Sequence, residues 1–403
     1  MPIVVISSNA GTRMGGEAIK AFQFFDWLRA QGADVWLVTH ARNRDELVAA
    51  FGGERLLFVE DTAAQRLMWR SRVLSAGLLP YFHLEVARLV RRFDPADTVL
   101  HYLCPISPVE PRFPPRGYRT VIGPLNGNIV HPPGFLSRVS FKRRLMGRAQ
   151  RPVQVVLGAM LGDKRKAGRV LNSGGTRTRV SLGWAGVAPD KILDVLDSGV
   201  NGSLISQVPV PHMGRNAAFL CMARLVEYKA IDLVLRALAV TDDDATLTVL
   251  GDGPEMAPLR ALARDLNLSD RVAFEGYVDH QRILDLCQSH RALVFPSLAE
   301  ANGIAMQEAM AVGLPVIALN WGGQAALGDL DTAIMLDPGS EDQLISDMAA
   351  AMSQLAGDAE LANAMATRAR DKAVARFGWD DVAASWTAPY SDLMPPAVGS
   401  RNA

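Results

Sequence analysis

Short apolar runs alternate along this chain with stretches whose apolar positions recur every three or four residues, the pattern of buried parallel strands joined by amphipathic helices. Ile3 to Ser7 reads as a strand, Ser8 to Gly16 as a loop, Ala18 to Gln31 as a helix with Phe22, Phe25 and Leu28 on one face, and Val35 to Thr39 as a second strand. Asp97 to His101, Thr246 to Leu250 and Val272 to Val278 read as further strands. From Asp45 to Arg92, helical patterns and basic residues alternate without a sharp motif. This alternation predicts an α/β fold, and 403 residues suffice for two Rossmann-like domains, each with its own core.

The most informative stretch runs from Phe295 to Ala318. An apolar run ends at Pro296, a polar loop carries Glu300, Ile304 to Val312 reads as a helix stopped by Gly313, and a second apolar run follows. Such a loop lies at the carboxyl end of its strand, where open α/β sheets bind ligands, and the helix start offers unpaired N–H groups to an anion. Gly303 lets a phosphate approach the backbone, and Glu300 and Glu308 can flank one ligand at different depths. Two glutamates near a helix start also favour the macrodipole while facing solvent, so their spacing alone assigns no chemistry.

Other strand ends carry related features. The apolar run before Ala223 delivers Arg224 and Lys229 into one short loop, and two cations there suit a diphosphate, although a pair of solvated charges is the plainer reading. Gly15 and Gly16 open the first helix and suit close approach of a phosphate, without forming the dinucleotide G-x-G-x-x-G fingerprint. A second pair, Gly322 and Gly323, follows another strand. His101 ends a strand, where a lone histidine is usually a satisfied structural residue. Asn126, Asn128 and His131 sit in a loop fixed by glycines and prolines, where they can hydrogen-bond a sugar hydroxyl or simply face solvent.

Composition narrows the classes. Hydrophobic residues make up 49% and charged residues 21%, and 42 basic residues balance 42 acidic ones, so net charge gives no argument for nucleic acid. Three scattered cysteines and no signal-peptide pattern point to a reducing cytosol, and no run of about 18 apolar residues is present to span a membrane. Charge is distributed unevenly, however. Between Arg138 and Arg169 stand ten basic residues and one acidic residue, Asp163, interleaved with aliphatic positions. This run is either a solvated face or an electrostatic seat on anionic lipid or a phosphorylated acceptor, and it lacks the aromatic ladder of a single-strand nucleic-acid binder. Cys287 and His290 lack further ligands for a metal, and Asp242 to Asp244 precede their strand, away from a ligand cleft.

Glu300 to Glu308, followed by Ala309-Met310-Ala311 and Gly313-Leu314-Pro315-Val316-Ile317, resembles the E-x7-E signature of family 4 retaining glycosyltransferases. Arg224-Leu225 with Lys229 is similar to the family's G-R-L-x-x-x-K-G, with Ala223 and Ala230 in place of glycines. Gly251-Asp252-Gly253-Pro254-Glu255 is similar to its G-x-G-P-E turn, and Gly123 to Phe135 resembles the G-P-x-x-G…P-x-F segment of one subgroup. The aspartate-to-histidine spacing before His101 is one residue longer than the family's D-x-x-H, and Asn302 stands where relatives commonly have an aromatic.

The resemblance implies a GT-B fold, two Rossmann-like domains facing a central cleft, with an acceptor domain over 1–205, a nucleotide-sugar domain over 206–378 and a C-terminal helix and tail, 379–403, crossing back to the first. The implied reaction moves a hexosyl unit from a UDP- or GDP-linked sugar to a hydroxyl of a glycan or lipid-linked acceptor, in cell-envelope or exopolysaccharide synthesis. Arg224, Lys229, Glu300 and His101 are the expected catalytic residues. Gly15, Gly16, Gly251, Tyr277, Asn302, Gly303, Ile304, Glu308, Gly322 and Gly323 are expected to bind the donor, and Asn126, Asn128 and His131 the acceptor. No metal or cofactor is expected, and no nucleic acid. The expected location is the cytoplasm, with a candidate peripheral contact on the inner membrane face through 138–169. A catalytically silent nucleotide-sugar-binding subunit and a transferase acting on a soluble small molecule are the alternatives.

Overall fold

The structure, a computed structural model, describes residues 1–393 except 15, 72, 73, 201, 206–211, 213–216 and 243, and only the backbone of 64, 69, 76, 142, 143, 203 and 280. The chain divides into two compact units. The first comprises Met1–Asn128, Arg148–Asp197 and Val382–Ala403; the second comprises Ile129–Gly147 and Ser198–Asp381. The linear division into 1–205, 206–378 and 379–403 contains no such excursion by 129–147.

The first unit is built on a seven-stranded sheet of β1 (Ile3–Ile6), β2 (Val35–His40), β3 (Leu56–Val59), β4 (Val99–Tyr102), β5 (Arg119–Leu125), β6 (Arg169–Asn172) and β7 (Ile192–Asp194). All pairings are parallel, in the order β3-β2-β1-β4-β5-β6-β7. Val4, Ile6, Val38, Leu100, Tyr102, Ile122 and Val170 form its core with Phe82 and Val86 of the helix Leu78–Leu89. The first helix runs Gly16–Ala30 and buries Phe24, Phe25 and Leu28, while Phe22 packs at its edge against Phe51. Strand β3 lies within the stretch that showed no sharp motif: its four residues are too short to display a period.

The second unit carries a six-stranded parallel sheet of β8 (Ala218–Met222), β9 (Thr246–Leu250), β10 (Val272–Gly276), β11 (Ala292–Phe295), β12 (Val316–Leu319) and β13 (Ile334–Leu336), in the order β10-β9-β8-β11-β12-β13. Phe219, Cys221, Val249, Val294, Ile317 and Leu319 meet Leu233, Val234 and Leu238 of the helix Ile231–Leu238 in its core. Phe135 belongs to the same core, which is why Ile129–Gly147 goes with this unit. Arg138 locks that segment further. Its guanidinium donates to Asp232 Oδ1 and Oδ2 at 3.0 and 2.7 Å and to Glu341 Oε2 and Oε1 at 3.0 and 2.8 Å.

In each sheet the strand order reverses once, between β1 and β4 and between β8 and β11. The loops after these strands are where an open α/β sheet leaves a crevice for ligands.

Candidate active site

Lys229 follows β8 and Glu300 follows β11, so the reversal of strand order in the second sheet brings together two side chains 71 residues apart. Lys229 Nζ donates to Glu300 Oε2, and the two side chains are only 15% and 12% exposed. Lys229 closes the short 3-10 turn Glu227–Lys229, and Leu298 N donates to Tyr228 O at 2.9 Å, tying that turn to the β11 loop. The ammonium also lies 5.3 Å from the Phe295 ring centroid and 5.7 Å from that of Tyr228, a desolvated setting with two π faces.

Glu300 is held from both sides. Its Oε1 accepts from Ala301 N at 3.0 Å and Gly303 N at 3.3 Å. Burial pushes its pKa up, but the Lys229 charge and hydrogen bond and the two backbone N–H groups outweigh that and hold the carboxyl below its ordinary range. The site therefore keeps a fixed carboxylate beside a fixed ammonium.

The helix Ile304–Ala311 begins directly after Gly303, whose φ of +73° is a left-handed conformation that glycine adopts without steric cost. Its first N–H groups have no partner within the helix. Ile304, at the first position, is exposed; Glu308 lies one turn inside and is half-buried. Gly322 and Gly323 pass against the same loop. A Cβ on Gly323 would lie 2.2 Å from Ala301 O, and one on Gly322 would lie 2.9 Å from Glu300 O. Gly323 N donates to Glu300 O at 3.0 Å, so the second glycine pair supports the Glu300 loop from behind. Asn302 donates to Ser198 Oγ at 2.6 Å.

Gly251 sits after β9 against the β8 loop, with no room for a Cβ beside Ala223 O at 1.9 Å. Arg224 is exposed at the mouth of that loop. Ala230, where a glycine was the family pattern, adopts φ +52° and leads into the helix Ile231–Leu238. Tyr277, after β10, is 88% exposed, so its ring is not committed to the core. Asp242 precedes β9; Asp243 lies outside the described residues.

The first unit places its expected residues differently. Gly15 lies outside the described residues, and Gly16 begins the first helix with open space where a Cβ would stand. His101 is fully buried inside β4, with Nδ1 2.6 Å from Tyr390 Oη and Nε2 2.7 Å from Gly123 O. Burial lowers its pKa to about 4, the Gly123 bond opposing only in part, so the ring is neutral. Both nitrogens are occupied and none faces an opening; the expected contact of His101 with a donor sugar is replaced here by a packing role between β5 and the C-terminal helix Pro389–Asp392. Asn126 is buried too: Arg177 Nη2 donates to its Oδ1 at 2.9 Å, and its Nδ2 faces Ser173 O at 3.5 Å. Asn128, at φ +56°, donates to Arg177 O at 3.1 Å. These two amides hold the loop's own shape. His131 is half-buried and belongs to the second unit.

The basic run is not one surface. Arg138 is consumed by Asp232 and Glu341, and Lys164 is buried, donating to Asp163 Oδ2 and Glu110 O at 3.0 Å each. Burial, with Arg112 nearby, lowers the Lys164 pKa to about 8 against the pull of Asp163. The helix Phe141–Leu161 does expose Phe141, Leu145, Met146 and Met160 among its remaining arginines.

Three groups at the second unit's site escaped the sequence reading. Gln324 is fully buried and donates to Ser297 O at 2.5 Å while accepting from Leu319 N at 3.4 Å, stitching the β11 and β12 loops together. Gln307 is fully buried beside Glu308 with neither amide atom paired, and Ser297 Oγ is buried and unpaired. A glutamine at an apolar helix position was the available signal.

Residues 209–372 match the family model for glycosyl transferases group 1. The chain is 26% identical over 327 residues to the GDP-mannose-dependent alpha-(1-6)-phosphatidylinositol monomannoside mannosyltransferase of Mycobacterium tuberculosis, covering 76% of this chain and 78% of the relative. It is 29% identical over 203 residues to a putative colanic acid biosynthesis glycosyltransferase, WcaL, of Escherichia coli K12, covering 47% and 50%. The crystal structure of Anabaena HepE in complex with UDP superposes with a TM-score of 0.67 at 16% identity, covering 97% of this chain and 100% of that one. The fold is GT-B, with two Rossmann-like domains.

Proposed function

We propose that this chain is a family 4 retaining glycosyltransferase that moves a hexosyl unit from a UDP- or GDP-linked sugar to a hydroxyl of a glycan or lipid-linked acceptor in cell-envelope or exopolysaccharide synthesis. The observation that carries this reading is the buried Lys229–Glu300 pair at the strand-order reversal of the second sheet, inside the segment matching the group 1 transferases.

We assign the roles as follows. The donor's diphosphate meets Lys229, Arg224 and the N–H groups at Gly303 and Ile304, with Gly251, Gly322 and Gly323 keeping the backbone close. Glu308 binds the ribose hydroxyls, Glu300 and Asn302 the hexose, and Tyr277 stacks on the base. As the acceptor oxygen bonds to the anomeric carbon, the bond from that carbon to the phosphate oxygen breaks, and the phosphate oxygen takes the acceptor's proton. Lys229 stabilises charge on that leaving oxygen. The charge is met by the chain's own cations and N–H groups, so we assign no metal and no cofactor. Acceptor binding is assigned to the first domain and the Asn126–His131 loop.

Among the described residues no helix is long and apolar enough to cross a membrane. Peripheral attachment on the cytoplasmic face is assigned to the helix Phe141–Leu161, whose exposed apolar residues lie among arginines. Salt-sensitive binding to anionic vesicles that is lost when Lys142, Arg143 and Arg144 become Glu supports it; binding that survives the change removes it.

The reading is tested by thermal shift of the purified chain with UDP-, GDP- and ADP-hexoses in EDTA. Stabilisation by one of them names the donor and supports metal independence. Stabilisation that appears only when a divalent cation is restored contradicts the metal-free assignment.

A further inference from the structure

The first unit holds a pocket of about 680 Å³ at the carboxyl ends of β1, β2 and β3. Ser8, His40 and Asp61 line it from those strand ends, and the helices Ala63–Arg70 and Leu78–Leu89 wall it in. Arg42, Arg66 and Arg70 line it with a single carboxylate, Asp61, and Arg42 Nη2 donates to Asn9 Oδ1 at 2.5 Å. Leu78, Leu79 and Phe82 supply its apolar lining. Arg66 and Arg70 are four residues apart and share one helix face.

The pocket is built rather than incidental. The helix Ala63–Arg70 starts with a reciprocal capping box: Gln65 N donates to Thr62 Oγ1 at 3.3 Å, and Thr62 N donates to Gln65 Oε1 at 3.0 Å. With Oε1 so used, the Gln65 amide donates through Nε2 to His40 Nε2 at 3.1 Å. His40 must then carry its proton on Nδ1, which faces Asp61 Oδ1 at 3.4 Å. Cap, glutamine and histidine thus fix the helix that presents the two arginines.

We propose that this pocket receives the acceptor and that the acceptor is lipid-linked through a phosphate, the phosphate seated on Arg66, Arg70 and Arg42 and the adjoining chain on Leu78, Leu79 and Phe82. The proposal rests on the transferase reading for the word acceptor; the ligand chemistry comes from the pocket. Guanidinium forks suit phosphate oxygens, and an apolar wall beside them suits neither a free sugar nor a free phosphate. The residues differ from those of the basic run 138–169.

The test measures binding of octyl phosphate, octyl glucoside and inorganic phosphate, all below micelle concentration, to the full chain, to the Arg66→Gln/Arg70→Gln variant and to Leu79→Ser. Octyl phosphate should bind at least about tenfold tighter than the other two and lose about tenfold in the double arginine variant. Leu79→Ser should weaken octyl phosphate without changing inorganic phosphate. Equal binding of octyl phosphate and octyl glucoside, equal binding of octyl phosphate and inorganic phosphate, or indifference to the arginine change overturns the proposal. Nucleotide-sugar binding is followed in the same samples. If it persists while octyl phosphate fails, the pocket proposal alone falls; if octyl phosphate binds and no nucleotide sugar does, the transferase reading falls and the pocket stands.

Discussion

Glu300 takes a proton donor on each of its two oxygens, Lys229 Nζ on Oε2 and the backbone N–H groups of Ala301 and Gly303 on Oε1, so one side chain joins the loops of β8 and β11. Removing one partner leaves the other charge buried, which costs about 3–5 kcal/mol, whereas removing both is far cheaper. Lys229→Met and Glu300→Gln should each lower the unfolding midpoint clearly, and the double variant should lose much less than their sum. A denaturant double-mutant cycle checks this; strict additivity would mean that the pair is not coupled.

The same carboxylate makes stability depend on pH. Its folded pKa is depressed below its unfolded value. The stabilisation is therefore complete above the ordinary glutamate range and is lost as pH falls through the lower folded value. Glu300→Gln should flatten that acid limb in a pH series of unfolding free energies.

His83 steepens the same acid limb by another route. It is fully buried in the helix Leu78–Leu89, neither ring nitrogen has a partner, and burial, with Arg112 and Lys164 adding, lowers its pKa to about 3. The unfolded chain binds the proton first, so stability falls as pH drops from about 6.5 toward 3, by up to roughly 1.4 kcal/mol per pH unit for this group. His83→Phe should be neutral or stabilising at pH 7 and progressively more stabilising toward pH 5. Equal effects at both values would contradict the buried neutral ring.

Gly323 tests the backbone support of the Glu300 loop. A methyl group there must displace Ala301 O, 2.2 Å from the Cβ position, whereas one on Gly147 meets open space. Gly323→Ala should lower both the unfolding midpoint and nucleotide-sugar binding, while Gly147→Ala, inside the helix Phe141–Leu161, leaves binding unchanged and holds or slightly raises the midpoint.

Arg138 anchors Ile129–Gly147 to the second unit. Arg138→Ala leaves Asp232 and Glu341 without their shared donor and should cost about 2 kcal/mol. Hydrogen exchange across 129–147 should rise first, before exchange in β8 or β11.

Much of this was legible in the sequence because parallel strands buried on both faces read as apolar runs, and helix starts after glycine punctuate them. Glu300, Gly303 and Lys229 were legible through the resemblance of their stretches to the E-x7-E and G-R-L-x-x-x-K-G patterns; taken alone, solvated charges near a helix start were the plainer reading. The environment of His101 was not, because its partners, Tyr390 and Gly123, come from distant stretches of the chain that no local pattern connects. Arg138 and Lys164 misled similarly, since a basic run looks solvated until acidic partners arrive from Asp232, Glu341 and Asp163. The pocket of Arg42, Arg66 and Arg70 was hidden because its residues come from three segments and β3 is too short to reveal a period.

The central claim is that the Lys229–Glu300 crevice splits a nucleotide sugar. The most direct measurement is release of nucleotide diphosphate from UDP- and GDP-hexoses by the full chain and by Lys229→Ala, with unfolding midpoints recorded alongside. The account predicts release from one donor, reduced about 10²–10³-fold in a variant that remains folded. A folded Lys229→Ala protein that releases nucleotide diphosphate as fast as the parent would contradict it.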